Sequence, residues 1–204
     1  TVTFKLREGV VWHDGKPFSS ADVQFSLMEV VKTHHPRGQG NLGPVTSIDT
    51  PDARTAVFNL AHPYPPLMMG LSSLEAPIVP RHIYEGTDFR NNPAVNNPIG
   101  TGPFKFTRWE KGNYIQLDRN EKYWRPGRPY LDRLIFRFIA DSATRAAGVE
   151  RGEIDVATFG TINPVEMRRL EKLPNLSIAQ GGYEAIAPTM MLELNTQRAP
   201  FNDK

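Results

Sequence analysis

Thr1-Val2-Thr3-Phe4-Lys5-Leu6-Arg7 alternates apolar and polar residues without a break, and Val10-Val11-Trp12, Asp14-Gly15 and Pro17-Phe18 follow it. A period of two puts Val2, Phe4 and Leu6 on one face of a strand, with Thr3, Lys5 and Arg7 on the other. Asp14-Gly15 supplies the positive φ angles of a tight turn. Beyond the turn, Ser19 or Ser20 can cap a helix beginning near Ala21, with Asp22 in its first turn where the macrodipole favours a carboxylate. Val23, Leu27, Val30 and Val31 give this helix a buried stripe, and it must end before Pro36. Strand, turn and amphipathic helix in immediate succession mark the chain as mixed α and β.

Further along, His34 to Pro44 reads as a loop, and Thr55 to Leu60 as a strand after a Pro51-Asp52 turn. Prolines then recur at 63, 65, 66, 77, 80, 93, 98 and 103, which predicts one short helix near Pro66 to Leu74 and otherwise extended or turning chain. Phe104 to Phe106, Tyr114 to Leu117 and Leu134 to Ile139 are successive strand candidates. A helix capped by Asp141 or Ser142 runs to Arg151 and stops at Gly152, and Ile154 to Ala157 resembles a short buried strand. Asn163-Pro164-Val165-Glu166 carries a cap, a proline at the first helical position and an acid three after the cap, and Pro174 closes the helix it starts. Two last strands are expected near Leu176 to Ala179 and Thr189 to Leu194. A boundary near Asn97 to Gly102 divides the chain into subdomains 1–97 and 98–204.

Composition narrows the function. The 204 residues include no cysteine, which excludes disulfides, thiolate metal sites and thiol nucleophiles. Lys and Arg number 24 against 22 Asp and Glu, a net charge of +2 without runs of one sign, so nothing calls for nucleic acid or an anionic membrane as partner. Gly 16 and Pro 18 make up about a sixth of the chain, more than the usual eighth or so, which predicts many short elements joined by fixed turns.

Groups capable of chemistry are few. The histidines at 13, 34, 35, 62 and 82 lack the short helical spacings that put two metal ligands on one face, so no metal or other cofactor is expected. Gly100-Thr101-Gly102-Pro103-Phe104-Lys105 begins like a phosphate-binding loop, but Pro103 deletes an amide donor and no helix follows; a sharp crossing between subdomains fits better. Glu153 and Asp155 would share one face of a strand and could act as a carboxylate pair in a hydrolase, although Arg145 and Arg151 stand close enough in sequence to neutralise them. Trp109, Tyr123 and Trp124 lie in turns beside strands, placed for packing over an edge or for lining a cleft.

Several strings together resemble the extracellular solute-binding proteins of the family 5 type, the oligopeptide-, dipeptide- and nickel-binding components of bacterial ABC importers. They are Thr3 to Val10, Trp12 to Phe18 with Ala21-Asp22-Val23, Pro98 to Phe104, Arg119-Asn120 with Tyr123-Trp124, Gly152 to Asp155, and Leu194-Asn195-Thr196 with Pro200 to Asp203. The order and spacing are those of the family over the whole chain.

The resemblance implies a fragment of the type II periplasmic binding protein fold. It covers most of lobe I, built of two subdomains with mixed sheets flanked by helices, while the amino-terminal segment and lobe II lie outside these residues. It implies capture of a small solute, foremost a peptide, between two closing lobes and delivery to ABC permease subunits, by a monomer that is not an enzyme. Location follows as periplasmic or extracellular, with room for a lipid anchor. Ligand contacts are expected from three regions, His34 to Gly43, Leu74 to Ala76 and Tyr183 to Thr189, with candidates His34 and His35; Leu74, Glu75 and Ala76; and Tyr183, Glu184, Ala187, Pro188 and Thr189. An unpaired Glu75 carboxylate in a closing cleft would favour a ligand amine or cation. A hydrolase using Glu153 and Asp155, and a ligand-sensing module presented to a receptor, are the competing readings.

Overall fold

A computed structural model describes residues 1–158 and 160–179. The chain divides into two compact units, Thr1–Phe138 and Ile139–Lys204.

The first unit contains two three-stranded antiparallel sheets. In one, β1 (Val2–Lys5) and β2 (Val45–Asp52) flank the central β3 (Thr55–Leu60). In the β1–β3 ladder Phe58 pairs with Val2 and Phe4 with Ala56, and the diagonal Phe4 and Phe58 rings meet edge to face at 4.9 Å, the aromatic geometry that their quadrupoles favour. The Asp14-Gly15 turn forms as expected: Gly15 takes φ +89°, its amide donates to the Trp12 carbonyl, and Val11 bridges Pro17.

The helix over the sheet starts at α1 (Ser20–Phe25), widens into a π-helical turn over Ser26–Val31 and closes with α2 (Lys32–His34) before Pro36. Its apolar side buries Val23, Leu27 and Val31 against Ile48, Ala56 and Phe58. Each such side chain removed from water contributes ~1.5–3 kcal/mol. Asp22 and Ser26, one turn apart, are polar yet 4% and 0% exposed, because they hold the chain at 79–81. Ser26 Oγ accepts from the Val79 amide at 2.9 Å and donates to its carbonyl at 3.1 Å, while Asp22 Oδ1 accepts from the Arg81 amide at 3.0 Å.

Three expectations around this sheet are corrected. The His34 to Pro44 loop contains a helix, α3 (Gly38–Leu42). The turn expected at Pro51-Asp52 lies at Ala53-Arg54, and the residues before it form β2. A bulge between Val45 and Ser47 spaces its buried residues Val45 and Ile48 three apart, and a second follows between Asp49 and Asp52, which hides the strand period. Pro51 is tolerated because β2 is an edge strand. Finally, the proline-rich stretch holds three short helical pieces rather than one: α4 (Leu67–Gly70), α5 (Arg81–Tyr84) and a 3-10 turn at Pro93–Val95. Proline lacks the amide that a first helical turn leaves unbonded, so it starts such pieces as readily as it interrupts them.

The second sheet is a meander of β4 (Phe104–Glu110), β5 (Tyr114–Arg119) and β6 (Arg133–Arg137), so the expected mixed sheets are antiparallel ones among the described residues. Trp109 lies within β4 rather than in a turn.

In the second unit, α6 (Ser142–Glu150) is capped by Asp141, whose carboxylate accepts from the Thr144 amide at 2.7 Å. It ends at Gly152 with φ +71°. Asn163 caps α7 (Pro164–Leu170) by accepting from the Glu166 amide at 2.9 Å. The strand expected at Ile154 to Ala157 is instead a bend: Gly148, with no side chain, leaves room for Ile154 to fold back onto α6, and its carbonyl accepts the amides of Glu153 and Ile154. Leu176 to Ala179 is irregular, and Thr189 to Leu194 lies outside the described residues.

Candidate functional site

Two places in the first unit gather the polar side chains singled out by the sequence. One begins where α2 ends. Pro36 breaks the helix, α3 turns back, and α4 packs beside α3 closely enough that a Cβ on Gly70 would lie 3.1 Å from Asn41 Cβ. Tyr64 Oη donates to the Gly40 carbonyl at 3.0 Å, which fixes this corner.

Glu75 sits against it. Its Oε2 accepts from Arg37 Nε at 2.8 Å and from Asn41 Nδ2 at 2.7 Å, and Arg37 Nη2 pairs with Oε1. The hydrogen bond from Arg37 holds the Glu75 carboxyl below its ordinary value against the opposing effect of desolvation, helped by Asn41 and by the charges of Arg37 and His35. The expected unpaired Glu75 is thus corrected: its carboxylate is already neutralised by an arginine, two-thirds of whose side chain is open to solvent. Arg37 and Asn41 are the partners that sequence reasoning missed. Their spacing of four puts both on one helical face, a signal hidden by reading the segment as a loop.

The other candidates separate. His35 accepts the Arg37 amide on Nδ1 at 3.3 Å and lies close to Glu75, whereas the His34 ring meets Phe89 edge-on at 5.1 Å. Leu74 is exposed and Ala76 is buried. Met68 and Met69 of α4 are exposed, so the corner carries apolar as well as charged surface. Tyr183, Glu184, Ala187, Pro188 and Thr189 lie outside the described residues. Glu153 and Asp155 are exposed on a bend, and Arg151 Nε donates to Glu153 Oε1 at 2.8 Å, so they form no enclosed carboxylate pair.

The second place is the glycine crossing before β4. His13 Nδ1 accepts the Gly100 amide at 3.2 Å, and its Nε2 lies 3.1 Å from the Gly102 carbonyl. Asn120, at the end of β5 and 3% exposed, donates Nδ2 to that same carbonyl at 2.9 Å. Three strings distant in sequence therefore converge on one oxygen. Two further contacts brace the junction: His82 Nε2 meets Asp14 Oδ2 at 2.7 Å, and the Arg7 guanidinium lies 4.1 Å above the Trp124 ring. These are packing and hydrogen-bonding roles. A concavity of about 330 Å³ lined by Arg119, Tyr123, Arg125 and Tyr130 among others is a shallow surface depression. Among the described residues no group of three or more His, Asp or Glu is arranged to hold a metal ion.

Residues 1–204 match the family described as bacterial extracellular solute-binding proteins, family 5 middle, and the chain belongs to that family. Di/tripeptide-binding protein 2 of Pseudomonas aeruginosa is 29% identical over 226 residues, covering 98% of this chain and 40% of the relative. The solved structure of MoaA from A. tumefaciens R10 in complex with mannopinic acid superposes with a TM-score of 0.79 at 29% identity, covering 98% of this chain and 40% of that one. DppA from Helicobacter pylori in complex with the peptide STSA gives a TM-score of 0.72 at 32% identity over 85% of this chain and 37% of that one. The chain spans a third to two-fifths of the length of such relatives.

Proposed function

We propose that this chain is part of the solute-binding component of an ABC importer, in which it supplies one wall of a site for a peptide. Subdomains 1–97 and 98–204 together form most of one lobe; the solute is held between that lobe and a second one, and membrane permease subunits receive it. The protein works outside the cytoplasmic membrane, as a monomer and without catalysing a reaction. The observation that carries this reading is the family match over all 204 residues. The relative named as a di/tripeptide-binding protein and the neighbour bound to a tetrapeptide favour a peptide as the solute.

Within the described residues, the Arg37–Glu75–Asn41 corner with exposed Met68, Met69 and Leu74 is the proposed contact surface. Glu75 occupies the Nε and Nη2 edge of Arg37, and about two-thirds of the arginine side chain stays open to solvent. That arrangement suits a ligand carboxylate or carbonyl more than a ligand amine.

Mass spectrometry of the full-length protein purified without denaturation is the test. Short peptides released on unfolding, together with a rise in melting temperature on adding a dipeptide or tetrapeptide library, support the reading. Release of an opine or a metal chelate, with no shift from any peptide, overturns the peptide assignment.

A further inference from the structure

We propose that His13 is a proton-sensitive positioning residue, which fixes the Gly100–Gly102 crossing only as the neutral imidazole protonated on Nε2. The reason lies in the direction of its hydrogen bonds. A backbone amide can only donate, and the Gly100 amide points at Nδ1 from 3.2 Å, so Nδ1 must offer a lone pair. The carbonyl of Gly102 can only accept, and it lies 3.1 Å from Nε2, so that nitrogen must carry the proton. One tautomer of the neutral ring satisfies both. A third bond, from the His13 amide to the Gly100 carbonyl at 2.9 Å, anchors the residue's own backbone to the crossing.

Protonation removes the Nδ1 lone pair and sets two N–H groups against each other at Gly100. Partial burial of the ring, the largest effect, lowers its pKa below the ordinary 6.5, and Lys105 lowers it further, while the Gly102 carbonyl and Asp14 oppose them. Of the charged groups around the ring, Asp14 alone would welcome an imidazolium. Its carboxylate is already engaged by His82 Nε2 at 2.7 Å and by the Lys16 amide at 3.1 Å. The second ligand of the Gly102 carbonyl, Asn120, does not titrate and stays in place, so the loss falls on the His13 side of the junction.

Because the folded pKa is depressed, the clamp's contribution is complete above about pH 6.5 and is lost as pH falls toward the folded value. Hydrogen exchange of the Gly100 amide in the full-length protein should show protection that drops about tenfold per pH unit below 6.5 and then levels. His13→Gln, whose amide offers one acceptor and one donor that do not titrate in this range, should abolish that slope. Nitrogen NMR of the unaltered protein supplies an independent readout, with a bare Nδ1 and a protonated Nε2 expected at pH 8. A protonated Nδ1 at pH 8, or the same exchange slope in His13→Gln as in the unaltered protein, overturns the proposal. Should the variant fail to fold, the tautomer measurement decides alone.

Discussion

The carboxylate of Asp22, in the first turn of α1, holds the backbone amide of Arg81 at 3.0 Å, and through its other oxygen the Ser19 amide at 2.8 Å and the Ser19 hydroxyl at 3.1 Å. One buried side chain therefore caps its own helix and fastens the segment that enters α5. Replacing it with alanine strands the Ser19 and Arg81 amide donors in a place water reaches poorly. Asp22→Ala in the full-length protein is expected to lose about 2–4 kcal/mol of unfolding free energy by denaturant titration. Asp22→Asn keeps one acceptor and should lose less. Equal, negligible losses for both variants would show that the bonds to Ser19 and Arg81 are dispensable.

Gly38 opens α3 with its Cα pressed against the end of the π-helical turn: a Cβ there would lie 2.0 Å from the Val31 carbonyl oxygen. The obstacle is backbone and cannot rotate away, so Gly38→Ala must displace α3 and is expected to cost about 1–3 kcal/mol. Gly40, in the same helix, has nothing within 4 Å of its would-be Cβ. Gly40→Ala should be neutral or gain up to about 1 kcal/mol from helix propensity. Thermal melts of the two variants side by side separate steric crowding from propensity.

Glu75 orients Arg37 rather than standing open to a ligand, which changes what its substitution should do. Glu75→Gln is expected to leave the melting temperature nearly unaltered, since Arg37 is mostly exposed, while peptide affinity measured by calorimetry weakens by about tenfold. Arg37→Ala should weaken it similarly, and the double variant should be no worse than either alone, as coupled partners behave. Unchanged affinity in both single variants would remove this corner from the ligand site.

Elements whose signal is local were legible in the sequence. The alternation in β1, the Asp14-Gly15 turn and the Asn163-Pro164 helix start each rest on neighbouring residues, and each stands where it was expected. What escaped depends on contacts across the chain. β2 loses its period through bulges opposite β3, and the Ile154 segment is drawn back onto α6 by the gap at Gly148. The candidate site divided in the same way. Glu75 could be singled out as the carboxylate in a region where the family resemblance implies ligand contacts, but its neutralisation by Arg37 requires a helix that two glycines disguise. His13, read as a histidine without metal-ligand spacing, makes hydrogen bonds that spacing could not reveal, because its partners lie 87 and 89 residues away.

The convergence of His13 and Asn120 on the Gly102 carbonyl bears on how such a protein diversifies. The strings that make the sequence recognisable are occupied with one another, and the residues proposed to meet the solute come from the helical corner at α3 and α4 instead. On the proposed function, recognition of kin and recognition of cargo would be written in different parts of the chain. A junction locked in this way would leave the proposed corner free to vary in selectivity, and solved neighbours of the same architecture hold the peptide STSA in one case and mannopinic acid in another.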